Sequence, residues 1–256
     1  MAKDNVLIKA PFFDYEEKLP KIDAKEFQKV IDSRRSVRIF ENETIPEDIV
    51  ERCLQNAVLA PNSSNLQPWE FYRIKSPDKK KAMVYACLNQ IAAKTAAELF
   101  VVICRTDTWK KNAKDMIDLF KKKGNVADSV FTYYGKLVPA AYTQGVFSTI
   151  GFLKRILYFF IGLKKPIIRE PVSNKDLHVW AAKTAALGAQ NLMMSLRAYG
   201  YDSCPMEGAD SKRIKKILGL GRGAKLVMVI AAGKRAKGGV YGSRVRFDSS
   251  RFIKTV

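Results

Sequence analysis

The run DLHVWAAKTAALGAQNLMMSLRAY, from Asp176 to Tyr199, is rich in Ala, Leu and Met and is closed by Gly200. It reads as one helix, apolar around much of its circumference. Such a helix cannot rest on a single neighbour, so the rest of the chain must supply a shell of elements around it. WEFYRI (69–74) and LFVVIC (99–104) read as strands, the second fully buried because its β-branched and aromatic run is unbroken. A short strand, YDSC, follows the long helix, and KLVMVIAAG (225–233) forms a fourth. IDAKEFQKVIDS places Phe27, Val30 and Ile31 at helical spacing, with Asp23 and Glu26 arranged as a capping box. TIPEDIVERCLQNAVLA is a second amphipathic helix, with Pro46 near its start and Ile49, Val50, Cys53, Leu54, Ala57 and Val58 on one stripe. A proline-started helix runs from Pro77 to about Leu88, and DSKRIKKIL is a basic helix. Helices interleaved with about four strands predict an α+β fold, a small sheet wrapped by helices, over a single domain of residues 1–256.

Residues 124–174 interrupt this pattern. They contain GVFSTIGFLKRILYFFIGLKKP, two apolar blocks split by Lys154 and Arg155. Neither block reaches the roughly 18 continuous apolar residues of a spanning helix. The segment reads as a hydrophobic lid packed on the rest of the protein. The alternative is an interfacial helix, with 146–163 in peripheral contact with a membrane. The start, MAKDNVLIKAPFFDYEEKLP, alternates charged and apolar residues without the apolar core of a signal peptide.

With 47% apolar and 11% aromatic residues the chain is globular, and its net charge of +20 favours anionic partners. The basic residues are scattered and no nucleic-acid-binding module stands out, which argues against nucleic acid. Cys53, Cys87, Cys104 and Cys204 have no C-x-x-C spacing and fit buried thiols in a reducing cytoplasm. His178, the single histidine, lies in the long helical pattern and is assigned to packing rather than catalysis; no metal site is expected.

GLGRG (219–223) follows a helix and precedes a strand, the reverse of a dinucleotide-binding loop, so it reads as a helix cap and turn. SRRSVRIF (33–40) is more telling. Arg34, Arg35 and Arg38, with the Ser36 hydroxyl, gather donors suited to a phosphate just after a helix. Some twenty residues on comes APNSSNLQPWEF (60–71), too rich in amides and hydroxyls for an ordinary connection.

RRSVR followed by APNSSNLQPWEF resembles the flavin-dependent nitroreductase family. CPMEGAD (204–210) and YGSRVRF near the C-terminus resemble two further motifs of that family. The resemblance runs from about residue 23 to 247, with 124–174 much less typical. It implies an obligate homodimer with a long dimer-interface helix and two FMN sites between the subunits. Arg34, Ser36 and Arg38, beside Arg35, would reach the flavin phosphate, ribityl chain and pyrimidine edge, and Arg244 would complete the phosphate site. Pro61, Asn62 and Ser63, with Asn65, would come from the other subunit, while Gln67 either joins them or braces the loop. Glu207 and Gly208, preceded by Pro205 and Met206, would cover the N5 edge. Gln90, or its neighbour Asn89, would offer an amide to the ring.

Two positions depart from the pattern. Asn62 stands where a serine is usual. Gly242 replaces a lysine, a charge that Lys234, Arg235 or Lys237 would then supply. The activity implied is transfer of hydride from NADH or NADPH through flavin N5 to a nitroaromatic, quinone or similar acceptor in a ping-pong cycle. The apolar residues Phe147, Phe152, Leu157, Tyr158, Phe159 and Phe160 would select flat acceptors. A reductive dehalogenase or enone reductase of the same fold is the alternative, and a basic membrane-surface protein is the alternative from another class.

Overall fold

The computed structural model describes residues 16–256, so most of the first twenty residues, read as lacking a signal peptide, lie outside the described residues. In chain order the elements are α1 (Ala24–Ser33), α2 (Glu47–Ala57), β1 (Trp69–Arg73), α3 (Pro77–Ala86), α4 (Ile91–Thr95), β2 (Glu98–Arg105), α5 (Trp109–Lys123), α6 (Asp128–Thr132), a π-helical turn (Tyr133–Leu137), α7 (Val138–Tyr142), α8 (Thr149–Gly162), α9 (Asn174–Ala198), β3 (Asp202–Met206), α10 (Ser211–Ile217) and β4 (Ala224–Gly233). The four strands pair in the order β1-β2-β4-β3, every pair antiparallel. A parallel component is confined to a single bridge between Ser36 and Ser203.

Successive side chains of a strand point to opposite faces, and β2 has no polar face to offer. Leu99, Val101 and Ile103 enter one core with Met83, Ala93, Ile214 and Val229. Phe100, Val102 and Cys104 enter the other with Val50, Ala185, Leu192 and Ile230. Helices must therefore cover both sides of the sheet. α3, α4 and α10 take one side, α2 and α9 the other. All four cysteines are free thiols within these cores. Burial pushes Cys53, Cys87 and Cys104 up to about 11 and raises Cys204 as well.

α9 is the long helix of the sequence reading, started by Ser173, whose hydroxyl accepts from Asp176 N–H. Leu177, Ala181, Ala185, Gly188, Leu192 and Leu196 form its buried stripe, at the three- and four-residue spacing of one helix face. Gly188 is where α9 comes nearest its neighbours. A Cβ there would lie 2.8 Å from the Phe71 ring and 3.0 Å from the Ala57 carbonyl oxygen. The helix is not covered all round, since Val179 and Leu187 remain exposed. His178 is exposed too, which corrects its assignment to packing.

α1 also departs from expectation. Asp23 caps it by accepting from Lys25 N–H and Glu26 N–H, but Glu26 pairs with Lys29 at 2.6 Å instead of closing a capping box. None of its residues is buried, and Phe27 is 57% exposed, so its apolar stripe faces away from the chain's own core. At the edge of the sheet, Asp202 is buried between two guanidinium groups. Arg197 donates to Oδ2 at 2.9 Å, and Arg235 to Oδ1 at 2.7 Å and Oδ2 at 3.0 Å.

The segment 124–174 divides in two. Val130, Tyr134, Val138 and Tyr142 pack with Trp109 and Met116 of α5, an amphipathic helix that the sequence reading passed over, in a third core. α8 buries only Gly151. The expectation of a lid packed down on the protein is thus met by residues 128–142 and not by 146–163. The reason is that Gly151, Lys154 and Tyr158 of α8, not its phenylalanines, face inward.

Gly188→Val should lower stability by about 1–3 kcal/mol through overpacking against Phe71 and Ala57. An unchanged thermal midpoint would show that the close approach of α9 carries no constraint.

Candidate functional site

α1 ends when Arg34 turns to extended backbone (φ −63°, ψ 127°). The chain then runs alongside β3, with Val37 N–H donating to the Ser203 carbonyl at 3.1 Å. The segment after β4 folds back over this strip. Arg38 N–H donates to the Gly239 carbonyl at 2.7 Å, and Arg35 Nη2 to the Gly242 carbonyl at 2.6 Å. Arg244 Nη2 donates to the Asp32 and Arg34 carbonyls, each at 2.7 Å, and the Arg38 guanidinium lies 5.2 Å from the Tyr241 ring centre.

Between strip and flap lies a cleft of about 300 Å³ lined by Arg34, Arg35, Ser36, Arg38, Arg244, Arg246 and the backbone from Val240 to Val245. No carboxylate lines it. Guanidinium groups that line one cleft without a counter-charge repel one another. Burial, together with Arg244 and Arg246, pushes the Arg34 guanidinium below its ordinary value. The donor set suits a phosphate dianion, which guanidinium groups bind bidentately.

None of the residues expected to replace the charge lost at Gly242 lines the cleft. Lys234 pairs with Glu43 at 2.7 Å and Glu41 at 3.5 Å, and Arg235 is committed to Asp202. Lys237 is exposed and does not line the cleft. Arg246 does line the cleft, and sequence reasoning missed it. The signal was present in SRVRF, because residues two apart on an extended chain share a side.

A second set of anticipated residues gathers at the end of β3. Pro205 and Met206 are its last residues, held against Ile230 and Val229 of β4. Beyond them the Gly208 carbonyl accepts from Gln90 Nε2 at 2.8 Å. Gln90 precedes α4, after the left-handed pair Leu88 (φ 57°) and Asn89 (φ 54°). The Gln90 amide nitrogen is therefore committed to the 207–208 backbone and braces it.

The loop 61–67 contains three left-handed residues, Ser64 (φ 58°), Asn65 (φ 46°) and Gln67 (φ 45°), a conformation that costs a non-glycine residue of order 1 kcal/mol or more. It is held by its own chain. Asn62 Oδ1 accepts from Gln67 N–H at 2.9 Å, and Gln67 Nε2 donates to the Asn65 carbonyl at 3.4 Å. The Tyr134 hydroxyl donates to the Ser64 carbonyl at 3.0 Å, while Ser64 Oγ lies 2.7 Å from the Tyr133 hydroxyl. Asn112 donates to the Leu66 carbonyl at 2.7 Å. Many of the loop's polar groups are thus satisfied within one subunit. The tyrosines responsible come from the π-helical turn, and only the aromatic pair in FTYYGKL hinted at them.

Ser63 and Ser64 reach a second, mainly apolar cavity of about 850 Å³, walled by Val138, Tyr142, Tyr158, Ile167, Pro171, Trp180 and neighbours, with Lys165 and Lys183 at its polar margin. Of the six residues expected to select acceptors, only Tyr158 lines it. In a single chain the arginine cleft and the 61–67 loop line different cavities. Among the described residues no group of three or more His, Cys, Asp and Glu is placed to hold a metal.

The α+β fold thus carries a carboxylate-free arginine cleft beside its sheet and a braced polar loop over a large apolar cavity, and the comparisons with known proteins make the chain an oxidoreductase. The chain belongs to the nitroreductase family, whose model, Nitroreductase family, matches residues 31–234. It is 25% identical over 233 residues to an NADH dehydrogenase of Thermus thermophilus, covering 91% of this chain and 97% of the relative. It is 27% identical over 231 residues to YdgI of Bacillus subtilis, a candidate NAD(P)H nitroreductase, covering 89% and 97%. A candidate nitroreductase of Exiguobacterium sibiricum, solved in complex with FMN, has the same fold: TM-score 0.68, 23% identity, covering 94% of this chain and 100% of that one.

Tyr134→Phe should cost about 1 kcal/mol by stranding the Ser64 carbonyl. Burial holds the Tyr134 hydroxyl up at about 12, so its stabilising effect is full below about pH 10 and is lost as pH rises through 12. The variant should lose less stability than the parent across that window in thermal melts. Equal losses would remove the tyrosine from the loop's support.

Proposed function

We propose that the protein is an FMN-dependent oxidoreductase taking electrons from NADH or NADPH. The observation that carries this reading is the carboxylate-free cleft lined by five arginines. Arg34, Arg244 and Arg246 would hold the FMN phosphate, with Arg35, Ser36 and Arg38 extending toward the ribityl chain and pyrimidine edge. Glu207 and Gly208, after Pro205 and Met206, would lie along the ring's N5 edge, kept in place by the Gln90 brace. The FMN complex of the Exiguobacterium sibiricum relative supports the choice of cofactor.

The working unit is a homodimer. Pro61, Asn62, Ser63 and Asn65 of one chain, with Gln67 bracing their loop, would meet the flavin held by the cleft of the other. Two observations favour this. The cleft and the loop line separate cavities in one chain, and α1 and α9 both leave apolar side chains uncovered. The loop's internal hydrogen bonds would then serve to present it preformed rather than leave it to be ordered by the partner.

Bound FMN would supply the hydride chemistry between the nicotinamide and an electron-poor acceptor such as a nitroaromatic or a quinone, in a ping-pong cycle. The protein's part is to neutralise the phosphate, orient the ring edge through main-chain groups and offer a dry apolar cavity to the acceptor. The basic surface would also attract the anionic nicotinamide nucleotide.

Titration with FMN, followed by the quenching of flavin fluorescence, tests the reading. One FMN per chain should bind. Arg34→Ala, Arg244→Ala and Arg246→Ala should each weaken binding about ten- to a hundredfold, as loss of a charge-assisted hydrogen bond of about 1.5–3 kcal/mol requires. His178→Ala, on the exposed side of α9, should leave NAD(P)H oxidation within about twofold. A protein that takes up no FMN would end the proposal. Turnover of a nitroaromatic, a quinone, a halophenol and an enone by the loaded protein then separates the acceptor classes.

A further inference from the structure

The inward positions of α8 are Gly151, Lys154 and Tyr158, spaced three and four residues apart. Each is fixed by a specific contact. Gly151 N–H donates to the Gln144 carbonyl at 3.1 Å, and a Cβ at this position would overlap the Val172 carbonyl. Lys154 Nζ donates to the Ala141 and Thr143 carbonyls at 3.0 and 2.5 Å. Tyr158 lines the apolar cavity. The roll of the helix is therefore set by its polar and small residues, and, apart from the half-buried Ile161, its large aliphatic and phenylalanine side chains are turned outward. Phe152, Ile156, Phe159 and Phe160 are exposed, Phe160 to 61%, and Phe147 in the turn before the helix to 95%.

From residue 129 to 169 the charge along the chain has one sign, and the next acids, Glu170 and Asp176, lie at the apolar cavity. No Asp or Glu occurs between Asp128 and Glu170, while Lys164, Lys165 and Arg169 follow the helix and are exposed. At about 100° per residue, Arg155 falls at the flank and not among the phenylalanines. Among the described residues no single helix is long and apolar enough to cross a membrane. Residues 128–142 and 146–162 reach that standard only together, across a 70° bend, and the first of them is packed in the third core. α8 itself has 14 residues, about 21 Å, a length that lies along an interface rather than through it. A second copy of the chain is a poorer occupant. It would bring a like-charged patch to the same place, whereas α1 and α9 offer apolar faces without that penalty.

We propose that residues 146–163 dock on the surface of an anionic lipid bilayer, with Phe147, Phe152, Phe159 and Phe160 at the acyl boundary and Arg155, Lys164, Lys165 and Arg169 at the lipid phosphates. The apolar cavity, with Tyr158 in its wall, then lies next to the docked helix. Docking needs no flavin turnover, so its failure would leave the proposed redox activity untouched.

The test is co-sedimentation of the full-length, FMN-supplemented chain with vesicles of phosphatidylcholine alone, or of phosphatidylcholine and phosphatidylglycerol in equal parts. Binding to the anionic vesicles should exceed binding to the neutral ones at least about tenfold and weaken with salt. The triple variant F152S/F159S/F160S should lose about tenfold or more in vesicle binding, with its circular dichroism and elution volume unchanged. K164E/K165E, which removes no apolar contact, should lose the preference for anionic lipid and serves if the triple variant fails to fold. Absence of parent binding, or binding indifferent to K164E/K165E, would overturn the proposal. A triple variant that binds as well as the parent, or that dissociates into smaller oligomers, would overturn it equally, the last result assigning α8 to a subunit contact.

Discussion

Asp202 and its two arginines hold together the parts on which the cleft is built. The carboxylate is almost wholly buried at the start of β3, gripped by Arg197 from the end of α9 and by Arg235 from just beyond β4. Arg235 also reaches the Ser33 carbonyl at 3.4 Å, where α1 gives way to the strip of arginines. Removing one member of a buried pair costs about 3–5 kcal/mol, because the charge left behind has lost its solvent as well as its partner. Here the loss would loosen the junction of α9, β3, β4 and the end of α1, although the β3–β4 ladder and the Val37–Ser203 hydrogen bond would remain. The position of the cleft thus depends on a compensated charge cluster that stands outside it.

The contrast between the two arginine groups explains their separate parts. Arg197 and Arg235 are matched to a carboxylate and act as structure. Arg34, Arg35, Arg38, Arg244 and Arg246 line a cavity with no acid in its wall, and four of them are tethered through main-chain or aromatic contacts. Holding like charges close raises the energy of the empty protein, and an anion that enters relieves it. A ligand that binds the folded chain in this way also stabilises the fold.

Much of this was legible in the sequence, for definite reasons. β2 and β4 announced themselves because an unbroken apolar run of that length has few other destinations than a strand covered on both sides. Arg34, Arg35, Ser36 and Arg38 could be read because they are consecutive on one strip, so local order placed them together. Arg246 and the loop-supporting tyrosines could not, because their partners lie far off in the chain. The role of Asn62 was hidden for another reason. Its reach to Gln67 N–H depends on the left-handed turn between them, which three non-glycine residues adopt against their local preference. α8 illustrates the limit of periodicity: its pattern separates two faces but does not say which one the protein keeps, and Gly151 and Lys154 decided against the aromatic one.

The tyrosines of the π-helical turn and of α7 tie the 61–67 loop to the segment that carries α8. Ser64 is touched by Tyr133 and Tyr134 from the turn and by Tyr142 from α7, and four residues after Tyr142 the chain enters the exposed apolar stretch. The insertion is consequently not a detachable module. A chimera whose exchanged 124–174 segment lacked Tyr133, Tyr134 and Tyr142 would leave the Ser64 carbonyl and hydroxyl without their partners and would relax the left-handed turn. Evolution along this branch could change the outward residues of α8 freely, but only while the three hydroxyl groups on its near side stayed where they are.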